Sequence, residues 1–473
     1  MGRRHAGVLL HPSSLPGPGP IGEIGPYALA FLDWMVQAGL DVWQMLPLHP
    51  VGPGNSPYAS PSAFAADTRL ISVEDLVGEG LLDPSPVPWG VDAIDPEQVV
   101  AWKLPLLRAA AAKVAKDPEC RAWVRAQPWM KAWARFASLQ HVHGGGWWDW
   151  PDERAPAEEI AIQGGLQYLF HRQWTRLRAA ATRRGIHLVG DIPIFVDADG
   201  CDTWSDRSLF RLREDGRPDP VSGVPPDYFS PSGQRWGNPV YDWARHEKDN
   251  FAWWRARLAR ELELVDAVRL DHFRGFVANW CIPAAEEDAR TGHWEPGPGR
   301  ALFEALREGL GRLPVVAEDL GDITEDVEAL RETLGLPGMK VLQFAFGGDA
   351  HHPFLPHNYV GTRWVAYTGT HDNDTVAGWY AATDETVRHR VRTYCGRDGS
   401  APAWALLREA WASVAEMAVA PMQDLLGLGS DARMNTPGVA EGNWVWRLRD
   451  LPWNVCGMVR NLGETFGRAA AVD

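Results

Sequence analysis

The sequence predicts an α/β protein of the (β/α)8 (TIM) barrel class, with insertion subdomains after strands 2 and 3. Three observations carry that expectation. Eight short apolar runs recur along the 473 residues, most are separated by helical patterns, and three of them end in carboxylates where they meet a loop. Near-continuous hydrophobicity is what a parallel strand shows when both of its faces are buried. Strands that alternate with helices imply right-handed crossovers, and eight of them suggest closure into a barrel.

The runs lie at 6–10, 42–48, 187–193, 267–273, 315–320, 340–346, 364–371 and 421–428. Helical patterns fall at 26–38, 166–184, 251–262, 299–310 and 325–334. The last run is the least strand-like, because its Pro and Gly are atypical of a strand interior. Two connections are too long for simple crossovers. Residues 49–186 hold several helical stretches and Pro-rich turns, and residues 194–264 open with Gly-, Pro- and aromatic-rich sequence. Both follow barrel strands, so both should rise from the face where barrel enzymes carry their sites. The whole chain, 1–473, reads as one catalytic-type barrel domain with these two substrate-binding insertions.

Apolar residues are 45% and charged residues 23%, an ordinary globular mix. Asp and Glu total 61 against 46 Lys and Arg, a formal charge of −15. That excess repels phosphate backbones and anionic lipid, so nucleic acid and membrane surfaces are excluded as partners and a neutral ligand is expected. The 25 tryptophans outnumber the 15 Phe and 9 Tyr. Most should fill core, while a minority can stack on the C–H faces of sugar rings and bond a hydroxyl through Nε1–H. Five scattered cysteines without a CxxC pair read as free thiols in a reducing compartment. The start offers only five apolar residues before His11, and no run approaches the ~18 of a membrane span. A soluble, cytoplasmic protein is expected; its oligomeric state is not legible.

Three strand ends carry acids: AVRLDHFRG with Asp271, VVAEDLG with Glu318 and Asp319, and YTGTHDNDT with Asp372 and Asp374. One acid at a strand end can be a helix cap or an ion-pair partner. Three sets on separate strands, aimed into one bowl, suit substitution at an anomeric carbon. That reaction needs an acid for the leaving oxygen and a second carboxylate at carbon, and a third fixed charge can stabilise the oxocarbenium-like transition state. Arg269 lies two residues before Asp271, so both project to one face of a strand and can pair. His371, beside Asp372, can donate to hydroxyls. Other patterns lead nowhere: HHPFLPH lacks a metal-binding helical spacing, DADGCD has its glycine too early for a calcium loop, and HGGGWWDW lacks a phosphate-loop Lys. No metal and no cofactor is called for.

At these residues the chain resembles the amylomaltase (disproportionating enzyme) family of 4-α-glucanotransferases, related to the α-amylase clan. The matching segments span nearly the whole chain: HPSSLPGP, NSPYASPSAFA, GDIPIFV, GVPPDYFSPSGQRWGNPVYDW, RLDHFRG, AEDLG, LQFAF, LPHNY, TGTHDNDT and MNTPG. After SPSAFA it reads ADTRLIS, where the family more often has a Gly-Asn-Pro-like turn. The resemblance implies Asp271 as nucleophile, Glu318 as general acid/base in preference to Asp319, and Asp372 as transition-state stabiliser. It further implies that Tyr58, Asp191, Gln234, Trp236, Arg269, Phe344, His371 and Asn435 line sugar subsites for α-1,4-glucans, and that 223–243 is a loop over the cleft. A hydrolase would use the same acids with water as acceptor, and spacing does not separate the two; the preference for transfer rests on the resemblance. A non-catalytic glucan-binding module would have no need of all three acids.

Overall fold

The computed structural model describes residues 3–84, 93–226 and 230–470. Eight parallel strands form the central sheet: β1 (His5–Leu9), β2 (Val42–Gln44), β3 (His187–Pro193), β4 (Ala267–Asp271), β5 (Val315–Ala317), β6 (Gly338–Val341), β7 (Trp364–Tyr367) and β8 (Met417–Pro421). Their order is β6-β7-β8-β1-β2-β3-β4-β5, every neighbouring pair parallel. The ends of that list meet where Ala317 N–H donates to Pro337 O at 2.9 Å, so the sheet is a nearly closed barrel.

Alternation along each strand explains the unbroken apolar runs. Leu9, Val316, Val365, Tyr367 and Val419 pack into one cluster, while Ala6, Val8, Val268, Leu270, Val315 and Ala418 pack into another. The first fills the barrel and the second meets the helices, so both faces are mostly apolar, and the buried polar side chains on the strands, such as Gln44, Asp191 and Arg269, are paired. The helix Pro26–Ala38 has Pro in its first turn and stops at Gly39, whose φ of 73° fits the left-handed cap that glycine adopts without strain. The helix Ala157–Arg183 is longer than the pattern at 166–184 suggests, because Gly164 and Gly165 interrupt the periodicity. A Cβ on Gly165 would stand 2.5 Å from Ala111 O, so that residue lets two helices pack backbone to backbone.

One strand must be corrected. The eighth barrel strand is Met417–Pro421, not 421–428: Pro421 ends it, and Met422–Leu425 turns into a short helix. The sixth and seventh runs are also cut short, by the 3-10 turn Leu342–Phe346 and by the loop after Tyr367.

Between β3 and β4 the chain contributes the strands Val221–Val224 and Gln234–Pro239. They join an antiparallel four-stranded sheet with Ala278–Ile282 and His293–Pro296, which come from a further excursion after β4. Residues 227–229, within the 223–243 loop, lie outside the described residues. Where β3 ends, buried Arg257 donates to Pro193 O at 2.7 Å and Ile194 O at 3.1 Å, and Tyr241 Oη donates to Ile194 O at 2.7 Å. These bonds satisfy carbonyls that have left the ladder, and they seat the insertion on the barrel rim. No described helix is long and apolar enough to cross a membrane.

Candidate active site

Strand register brings the acids together. Asp191 on β3 lies opposite Arg269 on β4, and Leu270 lies opposite Ala317 on β5. Asp271 and Glu318 are the next residues on adjacent strands, and the backbone bond from Glu318 N–H to Leu270 O, 3.0 Å, holds them side by side.

Arg269 organises the charges. Its Nη1 donates to both oxygens of Asp191, at 2.9 and 2.7 Å, while Nη2 meets Asp271 Oδ1 at 2.8 Å. The Arg269 and Asp191 side chains are buried, whereas Asp271 keeps 28% of its side chain open to the bowl. A guanidinium fork fixed on one carboxylate can therefore orient a second, accessible one. Tyr58 Oη donates to Asp191 Oδ2 at 2.9 Å, and its ring stacks on His371 at 4.9 Å. Burial pushes Asp191 up to about 6 against the pull of Arg269.

Glu318 has its own frame. Its Oε2 accepts His272 N–H at 2.6 Å and its Oε1 accepts Leu320 N–H at 3.0 Å. Burial pushes its carboxyl up to about 8; Arg269 opposes the rise and the charge of Asp271 adds to it. Asp319 points elsewhere, accepting Met339 N–H at 2.7 Å and pairing with Arg331 Nε at 3.1 Å. Geometry thus separates the two neighbours that strand-end logic could not.

Asp372 follows β7 on a loop pinned by Asn373, whose Oδ1 accepts from the Thr370 N–H and hydroxyl at 2.8 and 2.9 Å. His371 Nε2 lies 3.3 Å from Asp372 Oδ1, and Asn435 Nδ2 donates to the same oxygen at 2.6 Å. Burial works against ionisation here, but His371 and Asn435 outweigh it and hold the carboxyl well below the usual carboxylate range. Asp374 is occupied structurally, accepting Ser430 Oγ at 2.6 Å and Thr375 N–H at 2.8 Å.

The remaining sequence-derived residues divide. Trp236 stands perpendicular to the His272 ring with centroids 4.8 Å apart, and its Nε1 donates to Gln234 Oε1 at 3.1 Å. Phe344 is exposed on the rim after β6, its ring 6.2 Å from that of Phe354. The histidines of the HHPFLPH segment serve the loop: His357 contacts Tyr394 Oη and Ala350 O, both at 3.0 Å. In ADTRLIS, Asp67 caps its turn, and Arg69 joins the Asp67 carboxylate to Asn55 Oδ1.

Sequence reasoning missed Trp444 and Arg433. The Trp444 ring lies 5.8 Å from Tyr58 and 5.9 Å from His371, and Arg433 Nη2 donates to Asp372 O at 2.6 Å. The available signal was local: an aromatic after the Gly442–Asn443 turn, shortly beyond MNTPG.

Comparison with known proteins fits this geometry. A family model described as 4-alpha-glucanotransferase matches residues 10–452. The chain belongs to the 4-alpha-glucanotransferase family. Curated members include the 4-alpha-glucanotransferase of Thermus thermophilus, 46% identical over 94% of this chain and 95% of its own length. That of Synechocystis sp. is 43% identical over 98% of both chains. Among solved structures, the amylomaltase of Streptococcus agalactiae in complex with acarbose superposes with a TM-score of 0.94 at 34% identity, covering 99% of this chain and 100% of that one.

Proposed function

We propose that this protein is a retaining 4-α-glucanotransferase that moves α-1,4-glucan segments to the 4-hydroxyl of an acceptor glucan or glucose. One observation carries the reading: two adjacent carboxyl groups sit in opposite settings. Glu318 is enclosed and holds its proton near neutrality, while Asp271 is accessible and locked onto Arg269. Such a split pair suits a general acid beside a nucleophile.

In the first step Glu318 gives its proton to the glycosidic oxygen as Asp271 Oδ attacks C1. The C1–O bond breaks, and a glycosyl ester forms on Asp271. Asp372, kept anionic by His371 and Asn435, stabilises the positive charge that develops at the ring. In the second step the Glu318 carboxylate takes the proton of the acceptor 4-hydroxyl, which displaces Asp271 and restores the starting anomer. A carboxyl separation of about 5–5.5 Å between Asp271 and Glu318 belongs to this retaining course. Tyr58, His371 and Asn435 are assigned to sugar contacts at the reacting centre, with buried Asp191 and Arg269 lining that subsite from beneath, and Gln234, Trp236 and Phe344 to the rim. No step calls for a metal or cofactor, and free thiols at Cys120, Cys201, Cys281, Cys395 and Cys456 suit the cytoplasm.

Maltotriose alone is the decisive substrate. Glucose plus a ladder of longer maltooligosaccharides at constant reducing ends is the expected result. Rising reducing ends without longer products would make the protein a hydrolase, and bound but unchanged maltotriose would make it a binding module.

The raised Glu318 carboxyl also fixes a pH dependence. Its protonated form is the active one in the first step, so kcat/KM should fall above pH about 8, roughly tenfold for each further unit. A midpoint below about pH 6 would overturn the raised carboxyl, because the limb reports the pKa of the essential acid in the free enzyme.

A further inference from the structure

His272 follows Asp271 directly, yet its backbone is left-handed, with φ 53° and ψ 54°. A non-glycine residue adopts that conformation at a cost, so its surroundings must impose it. Two contacts do so. A Cβ on Gly275 would lie 3.0 Å from His272 Cδ2 and 2.6 Å from Ile194 Cδ1, so the imidazole edge is seated beside bare backbone. The Trp236 indole meets the same ring edge-to-face at 4.8 Å and 90°. Held in this way, the His272 N–H reaches Glu318 Oε2 at 2.6 Å.

We propose that His272 is a positioning residue that couples the hairpin bearing Trp236 to the proton affinity of Glu318; the inference rests on the acid/base reading of Glu318 given above. The chain of contacts runs from the indole to the imidazole, then through the left-handed backbone to a hydrogen bond on the carboxyl oxygen. Trp236 is 38% exposed on a strand remote in sequence from β4, so a glucan that presses on it is felt at the acid. The direction follows from the donor. An N–H bond favours the carboxylate form, so loosening it raises the proton affinity of Glu318. The charged groups facing Glu318 are Arg269 and Asp271 from β4 and its neighbour Asp319, which is turned to Met339 N–H and Arg331. None of these belongs to the hairpin. Burial keeps the His272 ring neutral, its pKa lowered to about 4, so it acts by position and not by titration near neutrality.

The test compares the alkaline limb of kcat/KM for maltotriose in four proteins: unsubstituted, Trp236→Leu, His272→Asn and the double variant. Asparagine tolerates a left-handed backbone, and the indole is partly exposed, so these variants should fold. Trp236→Leu is expected to move the limb upward by about one pH unit, and His272→Asn by a similar amount. The double variant should move no further than His272→Asn alone. An unmoved limb in Trp236→Leu, or shifts that add, would overturn the coupling. So would a His272→Asn protein that loses thermal stability and turnover with an unmoved limb, the outcome of a purely structural role. Failure of the underlying reading looks different. With an α-maltosyl fluoride donor, an alkaline limb that persists in Glu318→Gln would show that another group titrates, and both readings would fall.

Discussion

Asp271→Asn is expected to lower transfer from maltotriose by about 10⁴-fold or more and to leave the fold intact. At 1.36 kcal/mol per decade the loss is ~5 kcal/mol of transition-state stabilisation, too much for a lost substrate contact. The amide keeps an oxygen that can accept from Arg269, and Arg269 retains two bonds to Asp191, so no buried cation is stranded. Asp271 is also partly exposed, which limits what its replacement does to packing. The melting temperature should therefore move by about 2 °C or less. Binding of maltotriose by calorimetry should survive within about tenfold, because the subsite contacts assigned to Tyr58, His371 and Asn435 are untouched. Residual turnover above about 1% of the parent, with the fold intact, would remove Asp271 from the nucleophile role.

What the sequence could and could not show follows from where each signal resides. The barrel strands are legible because a strand buried on both faces has no polar period, as in Val315–Ala317 and Trp364–Tyr367. The eighth failed for a physical reason. MAVAP is Ala-rich and follows a helix, so it carries little β-propensity, whereas the leucines just beyond it mimic a buried strand. The antiparallel sheet over the bowl was invisible as a unit. Its QRWGNP strand holds Gly and Pro, and the four strands of the sheet come from both sides of β4 in the chain, so pairing is decided by non-local contacts. The acids of the site were legible because strand ends in a barrel converge. Strand-end position alone does not say which acid of each pair matters; the family resemblance names Glu318 and Asp372, and the fold adds that Asp319 and Asp374 are committed to Met339, Arg331, Ser430 and Thr375. Trp444 and Arg433 belong to the C-terminal return of the chain and reach the site through tertiary packing alone.

Glu318→Gln should divide the two half-reactions that a single carboxyl serves. With maltotriose as donor, loss of the proton donor is expected to reduce turnover by roughly 10³-fold. The amide is nearly isosteric and its oxygen can still accept from the His272 or Leu320 N–H, so the loss is chemical and not structural. An α-maltosyl fluoride donor needs far less acid assistance, because fluoride departs readily. Attack by Asp271 should then recover to within about tenfold of the parent rate. The second half-reaction stays blocked, since glutamine cannot take the proton of an acceptor hydroxyl, and the glycosyl ester on Asp271 should accumulate and be visible by intact mass. Azide, which needs no deprotonation, should discharge that ester. Two successive inversions at C1 require the product to be the α-azide. A β-azide would mean that azide had displaced fluoride directly and that Asp271 never bonded to carbon. Failure of the fluoride to restore any rate would mean that Glu318 does more than supply a proton, and the assignment of separate acid and nucleophile roles to these neighbours would have to be withdrawn.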